Sequence, residues 1–251
     1  MTAKSADPSA IDLVGFDADD TLWRSQDYFE AAQAEFETIV GAHVDLAAGD
    51  TLARLYEIES ANIATFGYGV KGMTLSMIEA AVAITDARIS ARELHRIVEI
   101  AKDLLHHPVE LLPGIVGAVH AVAAVHRVVL ITKGDLFHQE RKVAGSGLGD
   151  VFHRIEVVSE KDVATYARVL AECGVTPDRF VMVGNSLRSD IAPVLALGGW
   201  GVHMPYHVTW AHEALAQVDA DAPRLRVVRA PEELPAAIAS IAFTPQNGNV
   251  G

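Results

Sequence analysis

The sequence of 251 residues lacks the marks of several protein classes. Its one cysteine, Cys173, cannot form a disulfide within the chain. No apolar run approaches the roughly 20 residues that a membrane-spanning helix requires. The opening stretch MTAKSADPSA is polar, so its lysine is not followed by the apolar core of a secretory signal. From these absences we expect a cytoplasmic protein that does not enter a membrane.

Basic residues are also scarce. The 20 lysines and arginines are outnumbered by 33 aspartates and glutamates, which gives a formal net charge of −13. A chain this acidic repels nucleic acids and anionic membranes, so we expect neither as a partner. The charge does not argue against a small anionic ligand, because a metal ion or a nearby lysine can reverse the field inside one cleft.

Two patterns of apolar residues divide the chain. Residues 24–106 show helical spacing, for example at Phe29, Phe36 and Val40, and SARE at Ser90 forms the pattern of a capping box. Before and after this block, β-rich runs such as RVVLIT and FVMV alternate with helical segments. Such alternation predicts a parallel sheet with helices on both faces. The glycine-rich FGYGVKGM, residues 66–73, is predicted to be a loop inside the helical block. This loop either touches the substrate or is a plain turn between two helices.

The resulting fold class is α/β, a parallel-sheet core plus an all-helical cap inserted after the first strand. We predict that residues 10–23 and 107–243 form the core and residues 24–106 the cap. Residues 1–9 and 244–251 are predicted to be disordered tails.

Polar side chains directly follow four of the predicted strands. They are Asp17 and Asp19 after the first strand, Thr132 and Lys133 after RVVLIT, Lys161 after IEVVS, and Asn185 and Asp190 after FVMV. Because ligands bind at the carboxyl ends of strands in open α/β sheets, these side chains are expected to lie together. Clustered carboxylates fit a hard divalent cation such as Mg²⁺, which prefers oxygen ligands. Asp20, between the motif positions, is instead expected to cap the next turn.

The four strand ends resemble the motifs of the haloacid dehalogenase superfamily. FDADDTLW is similar to its first motif, D-x-D-x-T, and VVLITKGD to its second, a strand that ends in Thr or Ser. The lysine of VVSEKD resembles the third motif, and VMVGNSLRSD the fourth, G-D-x-x-x-x-D. The resemblance covers roughly residues 11–243 in the expected order. It implies a Rossmann-like core with a cap between the first two motifs.

The resemblance also implies roles for single residues. Asp17 resembles the nucleophile that forms an aspartyl-phosphate, and Asp19 the general acid that later acts as the base. Mg²⁺ would be held by Asp17, the backbone carbonyl of Asp19, and the motif-four residues Asn185 and Asp190. Thr132 and Lys161 would bind the phosphoryl group, with Lys133 as a further candidate for substrate binding. The implied activity is that of a Mg²⁺-dependent phosphatase acting on a small phosphorylated metabolite.

Asn185 departs from the motif, which has an aspartate at that place. Either the amide oxygen of Asn185 still coordinates the metal, or Asp190 is the residue that coordinates it. A 2-haloacid dehalogenase needs neither Mg²⁺ nor a second motif-one aspartate, so Asp19 favours the phosphatase over this related activity. A phosphomutase, which uses the same residues, stays open, and so does a protein that binds a phosphorylated ligand without turnover.

Overall fold

The computed structural model describes residues 11–44, 50–213 and 218–242. The strands are β1 (Leu13–Phe16), β2 (Arg127–Lys133), β3 (Arg154–Val158), β4 (Phe180–Gly184), β5 (Trp200–His203) and β6 (Leu225–Val227). The α-helices are α1 (Gln26–Gly41), α2 (Asp50–Phe66), α3 (Val70–Ile84), α4 (Ala91–His106), α5 (Ile115–Ala123), α6 (Leu136–Ser146), α7 (Val163–Cys173), α8 (Ala192–Ala196) and α9 (Leu234–Ala242). The predicted tails, residues 1–9 and 244–251, lie outside the described residues.

All six strands form one parallel sheet in the order β3-β2-β1-β4-β5-β6. Phe16 at the end of β1 is in register with Leu130 of β2 and Val183 of β4. The chain leaves β1 toward one edge through β2 and β3, and toward the other edge through β4, β5 and β6. The carboxyl ends of β1 and β4 therefore flank the topological switch point, where sheets of this type bind ligands.

Side chains alternate between the two faces of the sheet. Val14, Phe16 and Leu130 belong to one hydrophobic cluster, which α5 and α9 cover. Leu13 and Val129 belong to another, which α7 and α8 cover. Burial on both faces explains why β1 and β4 read as continuous apolar runs, and it confirms the predicted α/β fold with helices on both faces.

The helices α1 to α4 have a hydrophobic cluster of their own. Phe36, Leu55, Met77 and Ile97 are among its most buried members. The predicted capping box is confirmed, since the Ser90 side chain and its partner three residues later exchange both hydrogen bonds at the start of α4. A separate hydrophobic core is expected for a cap domain. The assignment of residues 24–106 to the cap and of residues 10–23 and 107–243 to the core stays a prediction. None of the described helices is long and apolar enough to cross a membrane.

Two linkers join these helices to the sheet and run side by side. The N–H of Leu112 donates to the carbonyl of Leu22 at 2.9 Å, and Trp23 forms a bridge with Leu111. Above the sheet edge, the Tyr68 hydroxyl donates to Glu160 at 2.6 Å. The loop between α2 and α3 thus forms a roof over the carboxyl ends of the strands.

The glycine-rich stretch is shorter as a loop than the sequence predicts. Helix α3 begins at Val70, so Lys71 and Gly72 are helical and only residues 67–69 form the turn. Gly69 adopts φ of +102°, a conformation that side chains disfavour. A Cβ on Gly72 would lie 2.5 Å from the carbonyl oxygen of Gly67. Close packing of the turn against the helix, rather than a longer loop, therefore explains these glycines.

Candidate active site

One cavity at the carboxyl ends of the strands contains every residue that the sequence analysis assigns to the site. Its lining includes Asp17, Asp19, Thr132, Lys133, Lys161, Asn185 and Asp190. The predicted clustering is therefore confirmed, while the chemical role of each residue stays a prediction. The roof contributes Tyr68 and Gly69 to the same lining.

A buried ion triad occupies the floor of this cavity. The ammonium group of Lys161 contacts Asp17 Oδ1 and lies 2.7 Å from Asp190 Oδ1. All three side chains are less than a tenth exposed. These two carboxylates raise the pKa of Lys161 well above its usual value and outweigh the opposing effect of burial. Lys161 is thus a permanent cation beside the candidate nucleophile.

The triad has one negative charge too many. Burial raises the pKa of Asp17 to about 7, and the charge of Asp190 adds to the rise, while Lys161 opposes it. A single ammonium cannot balance two buried carboxylates. A divalent cation at this place would supply the missing charge, so the electrostatics of the floor suit one.

The oxygen atoms around Asp17 are of the kind that Mg²⁺ binds. The Thr21 hydroxyl lies 3.1 Å from Asp17 Oδ2 and 3.3 Å from Asn185 Oδ1, which places the amide oxygen beside the carboxylate. A Cβ on Gly184 would lie 2.2 Å from Asp190 Oδ2, so the glycine makes room for that carboxylate. Carboxylate and amide oxygens fit Mg²⁺. Within the described residues no cluster of three His, Cys, Asp or Glu side chains has metal-binding geometry.

Asp19 is held by residues that the sequence analysis missed. Lys142 Nζ lies 2.5 and 2.7 Å from its two carboxylate oxygens. Gln139 Nε2 donates at 3.0 Å and Trp23 Nε1 at 2.6 Å. Removal from water raises the pKa of Asp19, but Lys142 and the other two donors outweigh it and lower the pKa below its ordinary value. In this arrangement Asp19 is an ionised carboxylate, which must gain a proton before it can act as a general acid.

Asp20 has the capping role that its position predicts. Its Oδ1 accepts hydrogen bonds from the N–H groups of Ser25 at 2.8 Å and Gln26 at 3.0 Å, at the start of α1. Its φ of +62° turns the chain away from the sheet, a conformation that aspartate tolerates better than most residues. Asp20 thus connects the strand end to the first helix above it.

Part of the cavity lining comes from one face of α1 and from two aromatic rings. Gln26, Phe29 and Gln33 line the cavity at helical spacing. Tyr68 from the roof and Trp210 from the segment after β5 complete this part of the lining, with ring centroids 5.7 Å apart. These residues line the same cavity as Asp17 and Asp19. Their helical spacing was visible in the sequence, but nothing there indicated which face of α1 meets the cavity.

The comparisons with known proteins agree with this geometry. A sequence model of the haloacid dehalogenase-like hydrolases matches residues 11–198. The chain therefore belongs to the haloacid dehalogenase-like hydrolase family. A hydrolase of that family from Xanthomonas campestris has 54% sequence identity over 95% of both chains, with a TM-score of 0.84.

More distant structures share the fold and carry different activities in their names. A 2-haloacid dehalogenase from Pseudomonas syringae pv. Tomato DC3000 is 19% identical over 92% of this chain and 99% of its own, with a TM-score of 0.62. A predicted phosphoglycolate phosphatase from Haemophilus somnus 129PT is 16% identical over 83% and 93%, with a TM-score of 0.56. No protein with a curated function matches the chain significantly. The family therefore defines a hydrolase and leaves the choice between phosphorus and carbon chemistry to the site.

Proposed function

We propose that the protein is a cytoplasmic, Mg²⁺-dependent phosphatase that hydrolyses a small phosphorylated metabolite. The observation that carries the proposal is Asp19, a second carboxylate that lines the same cavity as Asp17. Transfer of a phosphoryl group from an alkyl ester requires a proton for the departing oxygen, and hydrolysis of the intermediate requires a base. Attack on a carbon that bears a halide requires no such acid.

The chain's own residues divide the reaction between them. Asp19 first takes up a proton from water. The carboxylate of Asp17 attacks phosphorus, and the ester oxygen leaves with that proton of Asp19. Water then attacks the aspartyl-phosphate while Asp19 accepts its proton, which restores both carboxyl groups. Lys161 and Thr132 hold the phosphoryl oxygens throughout, since phosphoryl transfer depends mostly on positioning and charge neutralisation.

The metal would be held by Asp17, the backbone carbonyl of Asp19, Asn185 and Asp190. Bound there, Mg²⁺ would neutralise phosphoryl charge. The charge of the lining supports this part of the proposal, because seven carboxylates outnumber three lysines among the described residues. A phosphate dianion would be repelled by such a cavity without an added cation.

Release of phosphate from a panel of phosphorylated metabolites tests the proposal, with Mg²⁺ and with a chelator. Turnover that requires the metal is the expected result. Release of halide from 2-haloacids in the presence of chelator, without release of phosphate, would show that the protein is a dehalogenase.

That second candidate is favoured by one observation, the neutral amide of Asn185 where a carboxylate would bind a metal more strongly. A folded protein with neither activity would point to ligand binding without turnover.

The amide at position 185 should limit metal affinity. We expect Asn185→Asp to tighten Mg²⁺ binding by about tenfold, because affinity for hard cations rises with the number of charged ligands. Titration calorimetry with Mg²⁺ measures this directly and independently of activity. An unchanged dissociation constant would mean that Asn185 is not a metal ligand and that Asp190 carries the site.

Substitution of Lys142 should slow the hydrolysis of esters whose leaving group needs a proton more than that of esters whose leaving group does not. The reason is that Lys142 acts by holding Asp19, the proposed proton donor. We expect Lys142→Met to lower kcat for alkyl phosphates by about 10²-fold, a typical value for general acid catalysis. An aryl phosphate, whose leaving group departs without protonation, should lose much less. Lys142→Arg should restore part of the alkyl activity, since guanidinium also binds a carboxylate with two hydrogen bonds. Equal losses on both substrates would contradict this role.

A further inference from the structure

Lys133 lines the cavity and pairs with Glu213, which lies outside the four motif segments. Its ammonium contacts Glu213 and lies 2.9 Å from Ser189 Oγ and 3.6 Å from Glu160. It also lies 4.4 Å from the centroid of the Tyr68 ring and 5.8 Å from that of Trp210. Lys133 therefore lies beside the aromatic part of the cavity lining.

Glu213 is held in position by several hydrogen bonds and so maintains its ion pair with Lys133. Its side chain is only 9% exposed. Besides Lys133, it accepts hydrogen bonds from the hydroxyls of Ser186 and of Ser189, the latter at 2.7 Å. The two serines follow β4, so the sheet itself holds the carboxylate in place. A buried carboxylate with three donors is costly to displace.

The other two lysines of the cavity are not available to a second anionic group, because the proposed reaction uses Lys161 for the phosphoryl group and Lys142 for Asp19. Lys161 pairs with Asp17 and Asp190, and Lys142 pairs with Asp19. No arginine lines the cavity in the part of the chain that the structure describes. The lining also includes the side-chain amides of α1 and aromatic rings, and these uncharged groups do not neutralise a second negative charge.

We propose that Glu213 excludes substrates with a second anionic group by occupying Lys133, so that the natural substrate is a phosphate monoester with an uncharged leaving group. This inference rests on the proposed phosphatase function and specifies its substrate class. A carboxylate or second phosphate on the leaving group would approach Glu213 and Glu160 without a free cation to bind. Hydroxyl groups on an uncharged leaving group would instead find hydrogen-bond partners in Gln26 and Gln33.

A matched pair of substrates tests the proposal. Glycerol 3-phosphate and 3-phosphoglycerate differ only in a hydroxymethyl group that is replaced by a carboxylate. For the wild-type protein with Mg²⁺, kcat/KM should be at least about tenfold higher for glycerol 3-phosphate, since facing like charges costs more than 1.4 kcal/mol. Glu213→Gln keeps the shape of the side chain and removes the negative charge that pairs with Lys133. This variant should raise kcat/KM for 3-phosphoglycerate and so reduce the preference for glycerol 3-phosphate by about tenfold.

Two further variants make the result specific. Adding Lys133→Met to Glu213→Gln should remove the gain on 3-phosphoglycerate, because the freed cation is then absent. Glu99→Gln, on the exposed face of α4, changes the same functional group and should leave the preference unchanged.

The outcomes separate this inference from the proposed function. Turnover of p-nitrophenyl phosphate together with a wild-type preference for 3-phosphoglycerate would overturn the inference alone. An unchanged preference in a folded Glu213→Gln protein would also overturn it. Absence of turnover on p-nitrophenyl phosphate and on both esters would overturn the phosphatase function, and the inference with it.

Discussion

Replacement of Asp17 by asparagine should abolish phosphate release while the protein stays folded. The amide is nearly the same size but cannot attack phosphorus, so we expect kcat to fall by about 10⁴-fold or more, as for other covalent nucleophiles. Stability should not fall. Because the pKa of Asp17 is raised to about 7, its ionised form opposes folding at higher pH. The melting temperature of Asp17→Asn, relative to that of the wild type, should therefore rise as the pH increases from about 4 to about 7.

The control is an aspartate far from the cavity. Asp103→Asn changes the same group on α4, where the side chain is 74% exposed, and should retain full activity. Residual phosphate release above a tenth of the wild-type rate in Asp17→Asn, with this control active, would mean that Asp17 is not the nucleophile.

Replacement of Lys161 by methionine should reduce both activity and stability. The variant loses a cation that holds phosphoryl oxygens, which should lower kcat by about 10²- to 10³-fold. It also leaves the buried carboxylates of Asp17 and Asp190 facing each other, and breaking a buried pair in this way costs about 3–5 kcal/mol of unfolding free energy. Denaturant unfolding in parallel with phosphate release measures both effects.

The stability loss of Lys161→Met should depend on pH with a definite sign. Without the ammonium, the pKa of a carboxyl group in the triad rises further above its unfolded value, so between those two values the folded state binds more protons. Unfolding free energy should then decrease as pH rises, and the loss should be larger at pH 8 than at pH 5. The matched exposed variant, Lys102→Met, should show neither effect. A loss that is equal at both pH values would contradict the proposed charge balance of the triad.

The residues that follow strands could be found from the sequence, because a parallel sheet brings all strand ends to one edge. That rule alone placed Asp17, Thr132, Lys161 and Asp190 in one cavity. Asp20 could also be interpreted correctly, since its capping role depends only on residues a few positions away.

The residues that the sequence analysis missed depend on tertiary orientation. Gln139 and Lys142 reach Asp19 because α6 turns one face toward β1, and the sequence does not say which face that is. The spacing of Asp135, Gln139 and Lys142 along one side of α6 was the available signal. Glu213 lies in an irregular segment after β5, 80 residues from Lys133, where periodicity carries no information.

The glycine stretch shows the opposite error. Local propensity favours a loop wherever glycines cluster, and residues 66–73 were predicted accordingly. Packing of α3 against the turn at Gly67 determines the outcome instead, because Gly72 is needed for the close approach within a helix. Propensity is a weak guide where tertiary contacts decide the backbone.

The central claim is that Asp17 attacks phosphorus, and acid quenching during turnover tests it most directly. A phosphate monoester is supplied with Mg²⁺ in H₂¹⁸O, the reaction is stopped in acid, and the peptide that contains Asp17 is weighed by mass spectrometry. We predict that this peptide carries one phosphoryl group and that the heavy oxygen appears in the released phosphate. Heavy oxygen in the Asp17 carboxylate after incubation with a 2-haloacid, with no phosphorylated peptide from any ester, would contradict the account.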